Sequence, residues 1–334
     1  MQQESTSDLL SPKPKQMWLG KPLALRLQYM NDSMFVPHPQ LARTVTAISN
    51  KMNYCKQAKK GRAIFVEAPS GCGKTTLTRI FKAQMPTEIL DEKTIVPIVY
   101  FSVPKVITRK GMDKSLLKAL GDPKEAAGTH FDLDERAINL LKQTETKIIF
   151  IDNIQDIPSK RREGGIIEIG NWIRDLIDDS AALVVLLGTQ DANAILVPNI
   201  QLRRRCPGKL MMHYFDINTE SSALEFKNFL RLIDNFLPIN GISGLSLKEI
   251  SIPLAYASGG IQDYIFQILS CAVKYAVTQK REQLEITDLA KGFDETFQEY
   301  GKEINPFLGQ VSRLLNQKGE PLYGVLNATQ NTEK

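Results

Sequence analysis

Cysteine is scarce in this chain and unsuited by spacing to bind metal. Four residues, Cys55, Cys72, Cys206 and Cys271, are spread over 334 positions. None has the C-x-x-C or Cys/His spacing of a zinc site or a disulfide framework, which fits a reducing compartment. Long hydrophobic runs are also missing. None approaches the ~20 residues needed to span a bilayer, and the opening MQQESTSDLL lacks the features of a secretory signal. A cytoplasmic protein with no membrane association is therefore expected. Charge of one sign is not in great excess: 42 Lys and Arg against 37 Asp and Glu leave a net charge of +5. That balance permits a nucleic-acid partner without demanding one, so the location of the basic residues matters more than their sum. There is no internal repeat or low-complexity tract. What remains is the 43% hydrophobic, 24% charged composition of an ordinary soluble protein, long enough for one large or two modest domains.

Patterning divides the chain. Residues 1–16, polar and broken by proline, read as a disordered leader. Residues 17–60 read as a helical segment, with Leu41, Val45 and Ile48 at helical spacing. Short apolar runs follow at Ala63–Glu67, Ile95–Phe101, Ile148–Ile151, Leu183–Gly188 and Met211–Phe215. Each is too short for a helix and rich in Val, Ile or Phe, as strands buried on both faces should be. Helical stretches between them predict an α/β domain over 61–215, a five-stranded parallel sheet with crossover helices. The amphipathic stretches SSALEFKNFLRLIDNFL, DYIFQILSCAVKYAVTQKREQ and TDLAKGFDETFQEY predict a C-terminal helical lid over residues 216–300, and 301–334 an irregular tail suited to partner contact.

The stretch EAPSGCGKTT, Glu67–Thr76, stands between a strand and a helix, the context a P-loop requires. Residues Pro69–Thr76 would form the binding loop, and the backbone N–H groups of Ser70, Gly71, Cys72, Gly73 and Lys74 would surround phosphate, aided by the helix terminus. Gly71 and Gly73 allow backbone angles that a side chain would obstruct. Lys74 would reach the outer phosphates of ATP, and the Thr75 hydroxyl would ligate Mg2+. Ala68 stands where the motif usually has its first glycine. KIIFIDN buries a strand and delivers Asp152 at its C-terminal end, suited to hold the metal through water. The next residue, usually a water-polarising glutamate, is Asn153. An amide can hydrogen-bond a water but cannot take its proton, so ATP binding with slow hydrolysis is expected unless Asp156 supplies the carboxylate. After the strand Leu183–Gly188, Thr189 or Gln190 would face the γ-phosphate. QLRRRC contains three successive arginines, either a solvated charge run or the source of an arginine finger for a neighbouring subunit; Arg205 is the favoured one.

The order of these elements resembles the AAA+ ATPases over about residues 35–300. More narrowly, the chain is similar to the TnsC/TniB family of transposition regulators. The features that carry this are YMNDSMFVPHPQLARTVTAI, VYFSVPKVITRKGMDKSLLKALGDP, LLGTQDANAIL followed by QLRRRC, ASGGIQDYIFQIL and the late NPF. The family pattern Q-L-x-x-R-F places its arginine on Arg205 and its phenylalanine on Cys206. Related lids often carry an arginine where this chain has Gln262. The resemblance implies an ATP-dependent protein that forms homo-oligomeric rings or helical filaments on duplex DNA. It also implies that the protein links a target-selection factor of the TniQ/TnsD type to the transposase. Asn153 departs from the family, where glutamate is expected.

Two basic clusters suit sequence-independent contact with DNA phosphates: Lys105, Arg109, Lys110 and Lys114, and Lys160, Arg161 and Arg162. In a family that threads DNA through its ring the first is favoured, with Thr129 as a hydroxyl contact. A helicase loader of the same superfamily is the nearest alternative. A small-molecule P-loop kinase is the more distant one, since the lid is C-terminal and poor in arginine.

Overall fold

The computed structural model describes residues 11–123, 129–297 and 305–309. Residues 1–10 of the expected leader and 310–334 of the expected tail lie outside them. The chain divides into two compact units, residues 39–213 and a second made of the residues up to 38 with those from 214 onward.

The strands of residues 39–213 are β1 (Arg62–Glu67), β2 (Glu88–Ile89), β3 (Thr94–Ile95), β4 (Ile98–Ser102), β5 (Ile148–Asp152), β6 (Leu183–Gly188) and β7 (Gly208–Met211). Among the described residues, five form one parallel sheet in the order β4-β5-β6-β1-β7. Every residue of β5 and β6 is buried, as expected of strands covered on both faces, whose apolar runs show no alternation. The register aligns the strand ends. Glu67 pairs with Gly188 on one side and Met211 on the other, and Ser102 pairs with Asp152. The connections that follow β1, β4, β5 and β6 therefore leave from one edge of the sheet, where open α/β sheets hold their ligands.

Two strand expectations need correction. The run Ile95–Phe101 is cut at Pro97, which has no N–H for a ladder. Thr94–Ile95 pairs instead with Glu88–Ile89 in a small antiparallel ribbon, and only Ile98–Ser102 enters the main sheet. The last strand ends at Met211, not Phe215, because its partner β1 ends at Glu67, whose carbonyl takes the N–H of Met212. Around the sheet lie α2 (Pro39–Ala58), α3 (Lys74–Gln84), α4 (Arg109–Leu120), α5 (His130–Gln143), α6 (Asp156–Lys160), α7 (Glu163–Ser180) and α8 (Ile200–Arg205). Trp172 of α7 is buried and its indole N–H donates to Asp113 of α4 at 2.6 Å.

The other unit holds α1 (Leu23–Asp32), α9 (Glu220–Phe236), α10 (Lys248–Ser258), α11 (Gln262–Thr278) and α12 (Ile286–Thr296). The stretch 17–60 thus yields two helices that serve different units. They part at Ser33–His38, where Pro37 and Pro39 disfavour a continuous helix and Pro39 opens α2. Phe226, Phe229, Ile233, Ile265, Leu269 and Phe293 form the centre of this unit's core. Arg26 is 1% exposed, and its guanidinium binds Glu282 through two bonds of 2.8 and 2.6 Å. Gly260, at φ +73, is required here, since a Cβ would lie 1.7 Å from the Phe215 carbonyl oxygen. Lys15–Trp18, partly inside the expected leader, forms a 3-10 turn that buries Trp18 against Tyr29. In the NPF stretch, Asn305 donates to the carbonyl of Ala290 at 2.8 Å and Phe307 is buried.

Candidate nucleotide site

The loop after β1 is shaped by backbone rather than by side chains. Gly71 and Gly73 have φ of 77° and 86°, left-handed values that cost a side-chain-bearing residue about 1–2 kcal/mol. Gly73 caps α3 from this conformation. The N–H of Ala68 donates to the Gly188 carbonyl at 2.8 Å, which ties the base of the loop to β6. Ala68 is fully buried. Cys72 is also fully buried, and desolvation pushes its thiol up to about 12, so its contribution to the loop is an N–H and packing. Pro69 is half-buried and Ser70 exposed.

Lys74 folds across this loop. Its ammonium donates to the carbonyls of Ala68 at 2.6 Å and Pro69 at 2.9 Å. Burial lowers its pKa, opposed by the negative charge of Asp152. The loop cation and the carboxylate at the end of β5 lie at the same edge of the sheet, although β6 separates their strands. Thr75 is exposed and Thr76 half-buried in the first turn of α3.

Asp152 is buried and doubly held: its Oδ2 accepts from the Tyr100 hydroxyl at 2.9 Å and its Oδ1 from the Asn153 N–H at 2.8 Å. Asn153 has φ of 59°, a left-handed conformation that asparagine tolerates better than glutamate. Its side-chain oxygen accepts from the Gln155 amide at 3.2 Å, and the Gln155 oxygen accepts from the Thr189 N–H at 3.3 Å. Thr189 is half-buried, and among the described residues its hydroxyl oxygen is buried with no hydrogen-bond partner. Gln190, the other residue read at this position, is exposed and opens the 3-10 turn Gln190–Ile195. The Asp156 carboxylate ion-pairs with Lys160 one turn along α6, at 2.5 Å.

Glu67 is a participant that the sequence reading passed over. It is 8% exposed, and its Oε2 accepts from Asn193 at 2.7 Å and pairs with Lys209 at 2.5 Å. It joins the foot of the phosphate loop to the turn after β6 and to β7. A charged residue closing the buried run AIFVE was the available signal. Tyr100 and Gln155 were missed for a different reason: their partners are set only by strand order and the turn after β5.

The proposed arginine finger is held within its own unit. Arg205, at the end of α8, makes two bonds of 2.6 Å to the Asp178 carboxylate, which raises its pKa. Arg203 and Arg204 are exposed. Of the proposed DNA contacts, Lys105 and Lys110 are exposed, on the loop after β4 and at the start of α4. Arg109 is half-buried and pairs with Asp175 at 3.1 Å. The Thr129 hydroxyl is engaged with Asp132 in the capping box that starts α5. Gln262, at the start of α11, is buried, with its amide nitrogen lacking a hydrogen-bond partner among the described residues.

These residues suit a nucleotide with Mg2+. The glycine loop, the helix terminus and Lys74 offer donors to phosphate. Asp152 and the Thr75 hydroxyl are the hard oxygen donors that Mg2+ takes together with phosphate oxygens, so a cage of carboxylates is not needed. Among the described residues no cluster of three His, Cys, Asp or Glu side chains could hold a metal by itself. No helix among them is long and apolar enough to cross a membrane.

A family model described as "Bacterial TniB protein" matches residues 26–211. Similar solved structures include the ORC2 protein of Aeropyrum pernix in ADPNP and ADP complexes. It is 15% identical, with a TM-score of 0.58 over 80% of this chain and 71% of that one. The ORC1 protein of Aeropyrum pernix in complex with DNA is 14% identical, with a TM-score of 0.56 over 86% of this chain and 70% of that one. Cdc6p of Pyrobaculum aerophilum is 14% identical, with a TM-score of 0.51 over 80% and 70%. At these identities the likeness shows the fold, an AAA+ P-loop domain with a helical C-terminal region. No curated protein sequence matches the chain.

Proposed function

The chain belongs to the TniB family, and from that premise we propose that it is an ATP-dependent, DNA-associated AAA+ protein that works in transposition. One arrangement carries the nucleotide reading: the Gly71/Gly73 loop with Lys74 after β1, and Asp152 at the end of β5, leave the sheet from the same edge, where parallel strands end in register. Lys74 binds the outer phosphates, and Thr75 and Asp152 hold Mg2+, which offsets phosphate charge when bound. The ORC1 structure in complex with DNA supports DNA as a partner of this fold, and we take duplex DNA as the form bound here. Lys105 and Lys110, with Arg109, contact its backbone without regard to sequence.

In this reading ATP chiefly joins subunits. Arg205 leaves Asp178 to reach the nucleotide of a neighbouring copy, and the assembled homo-oligomer connects a target-selection factor of the TniQ/TnsD type to the transposase. Hydrolysis is slow because Asn153 cannot accept a proton. A small-molecule kinase would remain a monomer or dimer. Size-exclusion chromatography with ATP, Mg2+ and duplex DNA tests the proposal. A large assembly is expected for wild type, lost in Lys74→Ala and in Arg205→Ala, with each variant still folded. A wild-type chain that stays monomeric under these conditions overturns the assembly reading. Assembly that survives Lys74→Ala overturns its nucleotide dependence.

A further inference from the structure

The seam between the turn after β5 and the turn after β6 fixes which way two side-chain amides point, and this has a consequence for ligand choice. The starting point is a group whose polarity is certain. The backbone N–H of Thr189 can only donate, and it donates to one end of the Gln155 amide at 3.3 Å. That end must be the oxygen. The other end of Gln155 is then its NH2, which lies 3.2 Å from the Asn153 side chain. Since an NH2 donates, the Asn153 atom it meets must be the oxygen, and the NH2 of Asn153 is on the opposite side of its planar amide. A backbone donor in one loop thus sets the orientation of a side chain in another.

Other contacts hold this relay in place. The N–H of Ile154 donates to the Leu187 carbonyl at 3.1 Å, locking the turn after β5 onto β6. The Asn153 carbonyl accepts from the Asp156 N–H at 2.9 Å, and the Asn153 N–H is bound to Asp152. Gly188 leaves room for Gln155: a Cβ there would stand 3.0 Å from its side-chain oxygen and 2.9 Å from the Ala192 Cβ. Asn153 is therefore fixed in backbone and side chain, next to the Asp152 carboxylate that its own N–H binds.

We propose that Asn153, oriented by Gln155, donates a hydrogen bond to the terminal phosphate of a bound nucleoside triphosphate, so that the site distinguishes a triphosphate from a diphosphate. The inference rests on the nucleotide reading above and assigns a role within it. A glutamate at 153 presents oxygens only and acts on water. An asparagine held with its NH2 turned away from Gln155 can act on phosphate oxygen, and it then reports that the third phosphate is present. Gln155 is a positioning residue, because it acts through Asn153. The two turns it bridges leave the same edge of the sheet as the loop after β1, and among the described residues the buried Thr189 hydroxyl between them has no hydrogen-bond partner.

Binding of ADP and of the non-hydrolysable analogue ADPNP, each with Mg2+, tests this by calorimetry on the full chain. Asn153→Gly removes the amide and keeps the backbone angle, since glycine is at ease at φ 59°. It is expected to weaken ADPNP about tenfold or more, the effect of one hydrogen bond to a charged group, and to leave ADP unchanged. Gln155→Glu keeps the acceptor for Thr189 but turns its other end from donor to acceptor. Asn153 then rotates to satisfy it and offers its oxygen to the phosphate, so ADPNP weakens while ADP does not. Gln155→Glu also adds a negative charge that repels a third phosphate by itself, so the neutral Gln155→Met decides: were Gln155 only a strut between loops, the ratio of the two affinities would not move in it. Gln155→Met, which releases Asn153, is expected to give a smaller loss of the same kind. A ratio unmoved by Asn153→Gly in a protein that binds both nucleotides overturns this inference alone. Wild type that binds neither overturns the nucleotide reading and the inference with it.

Discussion

The turn after β1 and the turn after β5 both need left-handed backbone, and they obtain it in different ways. The first uses Gly71 and Gly73, at φ of 77° and 86°. Without side chains it exposes its N–H groups and lets a ligand approach the chain closely. The second uses Asn153, at φ of 59°, and so keeps an amide at the point where the turn is tightest. One turn gives up two side chains, and the other keeps an amide that Gln155 holds. The difference also gives a backbone reason for the residue at 153. Glutamate would occupy this turn at a cost that asparagine largely avoids, so its absence need not reflect chemistry alone.

The strongest way to break that comparison is to restore the carboxylate. Wild type is expected to hydrolyse ATP slowly, and Asn153→Glu to raise steady-state turnover by about tenfold or more. A positioned base contributes ~100- to 10,000-fold, reduced here by the strain of the turn. Asp156→Ala is expected to leave the rate alone, because that carboxylate is committed to Lys160. Brisk wild-type hydrolysis that collapses in Asp156→Ala would move the catalytic role to Asp156 and end the account of Asn153.

A second experiment sharpens it on stability. Gly73→Ala must place a Cβ at φ 86° and is expected to lose about 1–2 kcal/mol. Asn153→Gly is expected to change stability by less than about 1 kcal/mol. Equilibrium denaturation in urea, without nucleotide, decides. Equal losses in the two variants would show that the turns do not differ as described.

The smallest expected effect concerns a third connection on the same sheet edge, the loop after β4. Removing Lys105 is expected to lower the slope of log affinity for duplex DNA against log salt by roughly one, whatever the DNA sequence. Removing Arg109 is expected to do less, because Asp175 already offsets its charge. A loss confined to one DNA sequence would indicate base readout in place of backbone contact.

Much of the fold was legible in the sequence because its signals are local. Strands buried on both faces must be short and apolar throughout, and β5 and β6 fall where IIFID and LVVLLG predict them. The lid helices α9, α11 and α12 follow from their amphipathic pattern. α10 escaped notice because Pro253 lies inside it, and proline is ordinarily a sign against helix. The break between α1 and α2 was missed because the division of a helical stretch between two units depends on which core each half joins.

The candidate site separates along the same line. The sequence alone marked the glycine loop, since its glycines, lysine and hydroxyl fall together in Gly71–Thr75, and it put Asp152 at a strand end. It could not show that Glu67 binds Asn193 and Lys209, that Arg205 is held by Asp178, or that Thr189 orients Asn153 through Gln155. Each of those bonds, apart from the short step between Gln155 and Asn153, joins residues at least 27 positions apart. The bonds of Glu67 and Gln155 form because parallel strands end in register along one edge, and Arg205 meets Asp178 because α8 packs on α7. Composition and spacing fix which groups a chain carries, but a hydrogen bond or an ion pair forms only at a few ångströms, and at that range only the folded sheet decides which groups are neighbours.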